Sequence, residues 1–98
     1  MRMVVVFRQA ARQEFDAAAG WYEQRRRGRG AHFTVAVHQV LERARTQPDF
    51  YGQVHEDVRQ ALVPGYPYCV YYRAEEKQLV VLAVFHTARD PVVWQARV

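Results

Sequence analysis

Ninety-eight residues, half of them hydrophobic, suffice to bury one core without disulfides or a metal, and the single cysteine, Cys69, has no intrachain partner. No charged-then-apolar leader opens the chain, and its longest apolar run, Leu79 to Phe85, falls far short of the roughly 20 residues of a membrane-spanning helix. The expectation is therefore one cytoplasmic domain over residues 1–98, with secreted and transmembrane classes excluded. The formal charge is +4, and of the fourteen basic residues only Lys77 is lysine.

Arginine's planar fork binds phosphate or carboxylate bidentately, so this surface suits nucleic acid or an acidic protein, although GC-rich coding also raises arginine content. The excess lies in the first half: residues 1–50 hold nine basic and five acidic groups, residues 51–98 five of each.

Met3-Val4-Val5-Val6-Phe7 is a short β-branched run and reads as an opening strand. From Ala10, the positions Ala11, Phe15, Ala18 and Tyr22 recur at helical spacing, with Glu14, Asp16 and Glu23 mostly to the side. The pattern breaks at Arg25-Arg26-Arg27-Gly28-Arg29-Gly30, where two glycines permit a turn and the arginines gather at the helix C-terminus, whose partial negative charge favours cations. A second helix carries the stripe Phe33, Val37, Val40, Leu41 and Ala44 and stops before Pro48. A short glycine turn between the two predicts an antiparallel helical hairpin.

Beyond Val54 the sequence becomes β-rich, in segments Glu56–Val63, Tyr68–Arg73 and Gln78–His86, parted by Pro64-Gly65-Tyr66-Pro67 and Glu75-Glu76-Lys77. The short connections predict antiparallel pairing, and the apolar character of Leu79–Phe85 on both alternating faces predicts a covered, central strand. The expected architecture is α+β: βααβββ, a helical hairpin on a mainly antiparallel four-stranded sheet. Alternation in the first two of these strands leaves each one face able to carry polar groups, which together would form a basic concavity.

Taken in order, Tyr22-Glu23 late in the first helix, Gly30 and Phe33 opening the second, Pro48 closing it, Val58-Arg59, Pro67-Tyr68 with Val70-Tyr71-Tyr72, and the ending His86, Arg89-Asp90-Pro91, Trp94 and Arg97 carry a resemblance that covers almost the whole chain. The sequence resembles the RelE/ParE superfamily of toxins from type II toxin–antitoxin modules. The resemblance implies a βααβββ toxin held inactive by a cognate antitoxin that wraps the hairpin and the sheet edge, and such disordered partners are typically acidic. RelE-like members cleave mRNA on the ribosome, whereas ParE-like members inhibit DNA gyrase.

Ribonuclease chemistry needs a base, an acid and cations on the phosphate. Arg59 and Arg73, on neighbouring strands, are expected to project from one sheet face as phosphate clamps, His86 is the acid–base candidate and Arg89 follows close by. The plainer reading makes the strand arginines solvated, His86 hydrogen-bonded to backbone, and Arg89-Asp90 a local ion pair. Nucleolytic members commonly carry a C-terminal tyrosine, or a histidine followed directly by an aromatic. Here Thr87-Ala88 follow His86, and no tyrosine occurs after Tyr72.

That departure ranks a gyrase-binding, ParE-like toxin first. A ribosome-dependent mRNA endonuclease comes second, and a module that has lost toxicity and only binds antitoxin third. Arg25, Arg26, Arg27 and Arg29 either contact the acidic antitoxin or the target or are a solvated turn; Trp94, with Arg97, either anchors a partner or staples the tail, and the staple is favoured. His32, His38, His55 and His86 lack metal-site spacing and no phosphate-cradling loop occurs, so neither metal nor nucleotide cofactor is expected. Operon repression normally uses the antitoxin's DNA-binding domain, so sequence-specific DNA binding is not expected of this chain.

Overall fold

A computed structural model describes residues 3–98. The elements run β1 (Val4–Phe7), α1 (Gln9–Arg25), α2 (Arg29–Thr46), β2 (Gln53–His55), β3 (Val58–Leu62), β4 (Tyr68–Ala74), β5 (Gln78–His86) and α3 (Val92–Gln95). The sheet has five strands in the order β1-β5-β4-β3-β2. All neighbours pair antiparallel except β1, which lies parallel to β5 because the helical hairpin carries the chain across one sheet face.

The apolar stripes predict the packing. Ala11, Phe15, Ala18 and Tyr22 of α1 and Phe33, Val37, Val40, Leu41 and Ala44 of α2 are all buried. Phe15, Tyr22, Phe33 and Tyr66 meet edge-on or tilted at centroid distances of 4.9–6.1 Å. Each such pair adds about 0.5–1.5 kcal/mol beyond its buried area. Below them lie Ala61, Val70, Tyr72, Leu79, Val81 and Val84 of the sheet. Tyr72 donates its hydroxyl to the carbonyl of Pro48, tying the end of the hairpin to the sheet.

Several expectations are corrected. The turn between the helices uses one glycine: Gly28 has φ 88°, while Gly30 already belongs to α2. A Cβ on Gly30 would lie 2.6 Å from the carbonyl oxygen of Ala19, so this glycine lets the helices approach. Glu23 is a cap rather than a bystander; its carboxylate accepts from the N–H of Gly28 and of Gly30, satisfying donors at the N-terminus of α2.

The predicted strand Glu56–Val63 begins only at Val58, because Glu56, at φ 52°, turns the chain back from a further strand, β2. β2 and α3 are too short to show a period, which is why four strands were expected. The expected concavity is filled. The sheet face opposite the hairpin has its own buried cluster of Val58, Cys69, Tyr71, Val80, Leu82, Ala83 and Phe85, covered by Trp94 of α3.

Candidate functional site

The pairing of β1 with β5 ends at Val81, and a bulge in the β4–β5 ladder follows, between Tyr71 and Tyr72 on β4 and Val81 and Ala83 on β5. From there α1 faces the uncovered edge of β5 across a cleft of about 550 Å³. Glu14, Ala17, Ala18, Trp21 and Tyr22 of α1 form one wall, and Tyr68, Val84, His86 and Arg89 much of the other. Trp21 remains 49% exposed, with the Arg25 guanidinium 4.4 Å from its ring centre. Burial pushes the Tyr68 hydroxyl above its ordinary pKa, so this wall presents a neutral phenol.

Glu14, at 14% exposure, organises the cleft floor. Its carboxylate accepts from the N–H of Val84, from both terminal nitrogens of Arg97 at 3.0 and 2.8 Å, and from Arg89 at 3.0 Å. Arg97 also donates to the carbonyl of Leu82. Together Glu14 and Arg97 satisfy β5 edge groups that a longer β1 would otherwise pair. Arg89 lies with its guanidinium 4.1 Å from the Phe85 ring centre and keeps 46% of its side chain exposed.

The strand arginines do not share a face. Arg59 stands opposite Tyr72 in the register and therefore faces the hairpin, whereas Arg73 stands opposite Val80 on the other face. Each is occupied: Arg59 donates to the carbonyl of Tyr51 and lies 3.4 Å from Asp49, and Arg73 lies 2.9 Å from Asp57. His86 stands opposite Tyr68, four residues from Tyr72, which separates it from Arg59 by about 13 Å along the strand. Its Nδ1 accepts the N–H of Ala88, and its ring packs edge-on to Tyr68. Only His86 and Arg89 of the four are brought together, at the mouth of the cleft.

Residues 5–91 match the family described as ParE toxin of type II toxin-antitoxin system, parDE. The chain belongs to the ParE toxin family. Its fold is similar to a solved structure of the chromosomal ParDE TA system from P. aeruginosa, with a TM-score of 0.72 over 87% of this chain and 96% of that chain. The two share 13% sequence identity, so the likeness concerns the fold. No curated protein matches the sequence.

The other candidate residues of this ParE-family toxin separate into two groups. Arg25, Arg26, Arg27 and Arg29 are exposed around the inter-helix turn, with Arg25 over Trp21 and Arg29 over Tyr66. Trp94 is 2% exposed and stacks on Tyr71 at 4.1 Å, with His55 edge-on, so it staples the tail. Arg97 spends its guanidinium on Glu14 and Leu82.

Glu14 is the residue that sequence reasoning missed. Its place on the buried side of α1, one position before Phe15, was the available signal. A pair between His32 Nδ1 and the Tyr66 hydroxyl, at 2.6 Å, was likewise missed and ties α2 to the β3–β4 loop. Among the described residues no group of three His, Cys, Asp or Glu side chains could hold a metal, and no helix is long and apolar enough to cross a membrane.

Proposed function

We propose that this ParE-family toxin arrests growth by binding DNA gyrase, not by cutting RNA, and that an acidic antitoxin neutralises it. The observation that carries the reading is the dispersal of the ribonuclease candidates. A general acid or base must come within about 3 Å of the proton it moves, with cations on the same phosphate. Here Arg59 and Arg73 lie on opposite faces, each against a carboxylate, and His86 lies at the far end of the sheet. A toxin that works by occupying a surface needs no such convergence.

The antitoxin reading draws support from the cleft beside α1. It offers Trp21 on one wall and Tyr68 on the other to apolar anchors, and Arg89 and Arg25 to carboxylates. A disordered acidic segment that folds on its partner would bury the first and neutralise the second. In this proposal residues 1–98 work as one toxin domain in the cytoplasm.

The test is controlled expression without antitoxin, with pulse labelling of new DNA and new protein and a supercoiling assay on purified gyrase. DNA synthesis is expected to fall first, with filamentous cells and loss of supercoiling. Early loss of protein synthesis with cleavage of ribosome-bound mRNA overturns the proposal in favour of the endonuclease. Absence of growth arrest overturns it in favour of an inactive antitoxin-binding module.

A further inference from the structure

The turn between α1 and α2 concentrates charge that the fold leaves unneutralised. Residues 23–30 carry four arginines against one glutamate, three of the chain's net four positive charges. The glutamate is already engaged: the Glu23 carboxylate accepts from the N–H groups of Gly28 and Gly30 inside the turn. Among the described residues, none of the guanidinium groups of Arg25, Arg26, Arg27 and Arg29 lies within 4.0 Å of a carboxylate oxygen. Elsewhere Arg12, Arg45, Arg59, Arg73, Arg89 and Arg97 each have a carboxylate within 3.4 Å.

Aromatic rings, not carboxylates, hold two of the four. Arg25 lies over Trp21 with its guanidinium 4.4 Å from the ring centre, and Arg29 lies over Tyr66 at 5.0 Å. Tyr66 is itself fixed, 5% exposed and with its hydroxyl 2.6 Å from Nδ1 of His32. A guanidinium positioned by a ring keeps its N–H donors free for the bidentate pair that matches a phosphate.

The character of the turn favours phosphate over a protein carboxylate. Gln24 to Arg29 are all exposed and include no apolar side chain. Protein hot spots need an apolar centre from which water is excluded, and this tip has none to bury. The backbone of duplex DNA asks only for cations and donors, and its binding is driven by release of condensed counterions. Such contacts carry no sequence information.

We propose that Arg26, Arg27 and Arg29, flanked by Arg25, form a sequence-independent clamp on the phosphate backbone of duplex DNA, through which the toxin grips the DNA that gyrase holds. The setting rests on the gyrase reading above; the clamp itself does not.

The test titrates the full chain, freed of antitoxin, against two labelled duplexes of about 20 base pairs and unrelated sequence, by fluorescence anisotropy at about 50 to 200 mM salt. The two duplexes are expected to bind within twofold of each other, with log K falling against log salt at a slope of about −3, as for three to four phosphates. Replacing Arg26, Arg27 and Arg29 together by glutamine is expected to weaken binding at least tenfold and bring the slope to about −1, with circular dichroism unchanged. Removing the same charge outside the turn, by Arg8→Gln, Arg43→Gln and Lys77→Gln together, is expected to change binding less than twofold. In a supercoiling assay the turn variant should need about ten times more protein than the parent to inhibit gyrase.

Equal loss of binding in the two triple variants overturns the clamp, since net charge alone would then explain it. Binding of a polyglutamate peptide at the turn without binding of either duplex assigns the arginines to an acidic protein and also overturns it. Duplex binding lost in the turn variant with gyrase inhibition unchanged overturns the grip on gyrase-held DNA. A parent chain that binds duplex but leaves gyrase untouched overturns the gyrase reading and leaves the clamp standing.

Discussion

Replacing Glu14 by glutamine keeps the side chain's shape and removes its charge. Two arginines then face a neutral amide: its oxygen, in the place of Oε1, can still accept from the Val84 N–H and one Arg97 nitrogen, whereas the NH2 in the place of Oε2 meets Arg89 and the other Arg97 nitrogen donor to donor. Breaking a fully buried ion pair by removing one partner costs about 3–5 kcal/mol. Glu14 and Arg97 retain 14% and 22% exposure, so water offsets part of the loss and about 2 kcal/mol is expected. With a urea slope of about 1 kcal/mol per molar for a chain of this size, the unfolding midpoint falls by about 2 M. Urea titration followed by tryptophan fluorescence measures it, since Trp94 lies in the segment that Arg97 tethers. The exposed pair Arg12–Asp16 supplies the control, and Asp16→Asn is expected to move the midpoint by less than about 0.5 M. In a double-mutant cycle, Glu14→Gln and Arg97→Gln should be strongly non-additive. A Glu14→Gln midpoint within 0.5 M of the parent, or strict additivity with Arg97→Gln, would refute the view that this carboxylate joins α1, β5 and the tail.

Two glycines one helix apart should respond with opposite sign. Gly30→Ala places a methyl 2.6 Å from a backbone oxygen and is expected to cost about 1–3 kcal/mol, whereas Gly20→Ala meets nothing within 4 Å and should gain about 0.5–1 kcal/mol in thermal unfolding. Burial pushes the Tyr72 hydroxyl up to about 12, while in the unfolded chain it ionises near its ordinary value of about 10. The unfolded state therefore loses this proton first, and Tyr72's contribution to stability should fall by about 1.4 kcal/mol per pH unit between pH 10 and 12. Tyr72→Phe should make that limb shallower, the other buried tyrosines keeping the remainder, and an unchanged alkaline slope would count against the assignment. Trp94→Ala removes the staple on Tyr71 and is expected to cost about 3–5 kcal/mol by denaturant titration. A loss under 1 kcal/mol would mean the tail is held mainly by Arg97.

Much of the fold was legible because its signals are local. The stripes on α1 and α2 have helical spacing, Pro48 blocks continuation, and Gln78–His86 is apolar on both faces, so two helices and the long strand could be bounded from sequence. The five-strand count was not legible, because a three-residue strand before a turn at Glu56 leaves no period to detect. The candidate site was legible in its residue types and not in its arrangement. Arg59 and Arg73 both occupy strands, as read, but one position of register puts them on opposite faces.

Sequence by itself determined the helical hairpin, the buried stripes and the β-rich second half, which depend on spacing within a few turns or strand residues, and an ordered series of landmarks along the chain carried the resemblance to the RelE/ParE toxins. Only the tertiary structure decided that Glu14 turns inward to Arg97 and Val84, that Trp94 is a staple, and that the edge of β5 stands open beside α1. Those outcomes depend on where β1 stops, on one bulge in β5 and on contacts between residues some 70 to 80 positions apart. No local periodicity encodes them, because the partner that satisfies a charge or an unpaired backbone group is chosen by the packing of the whole chain.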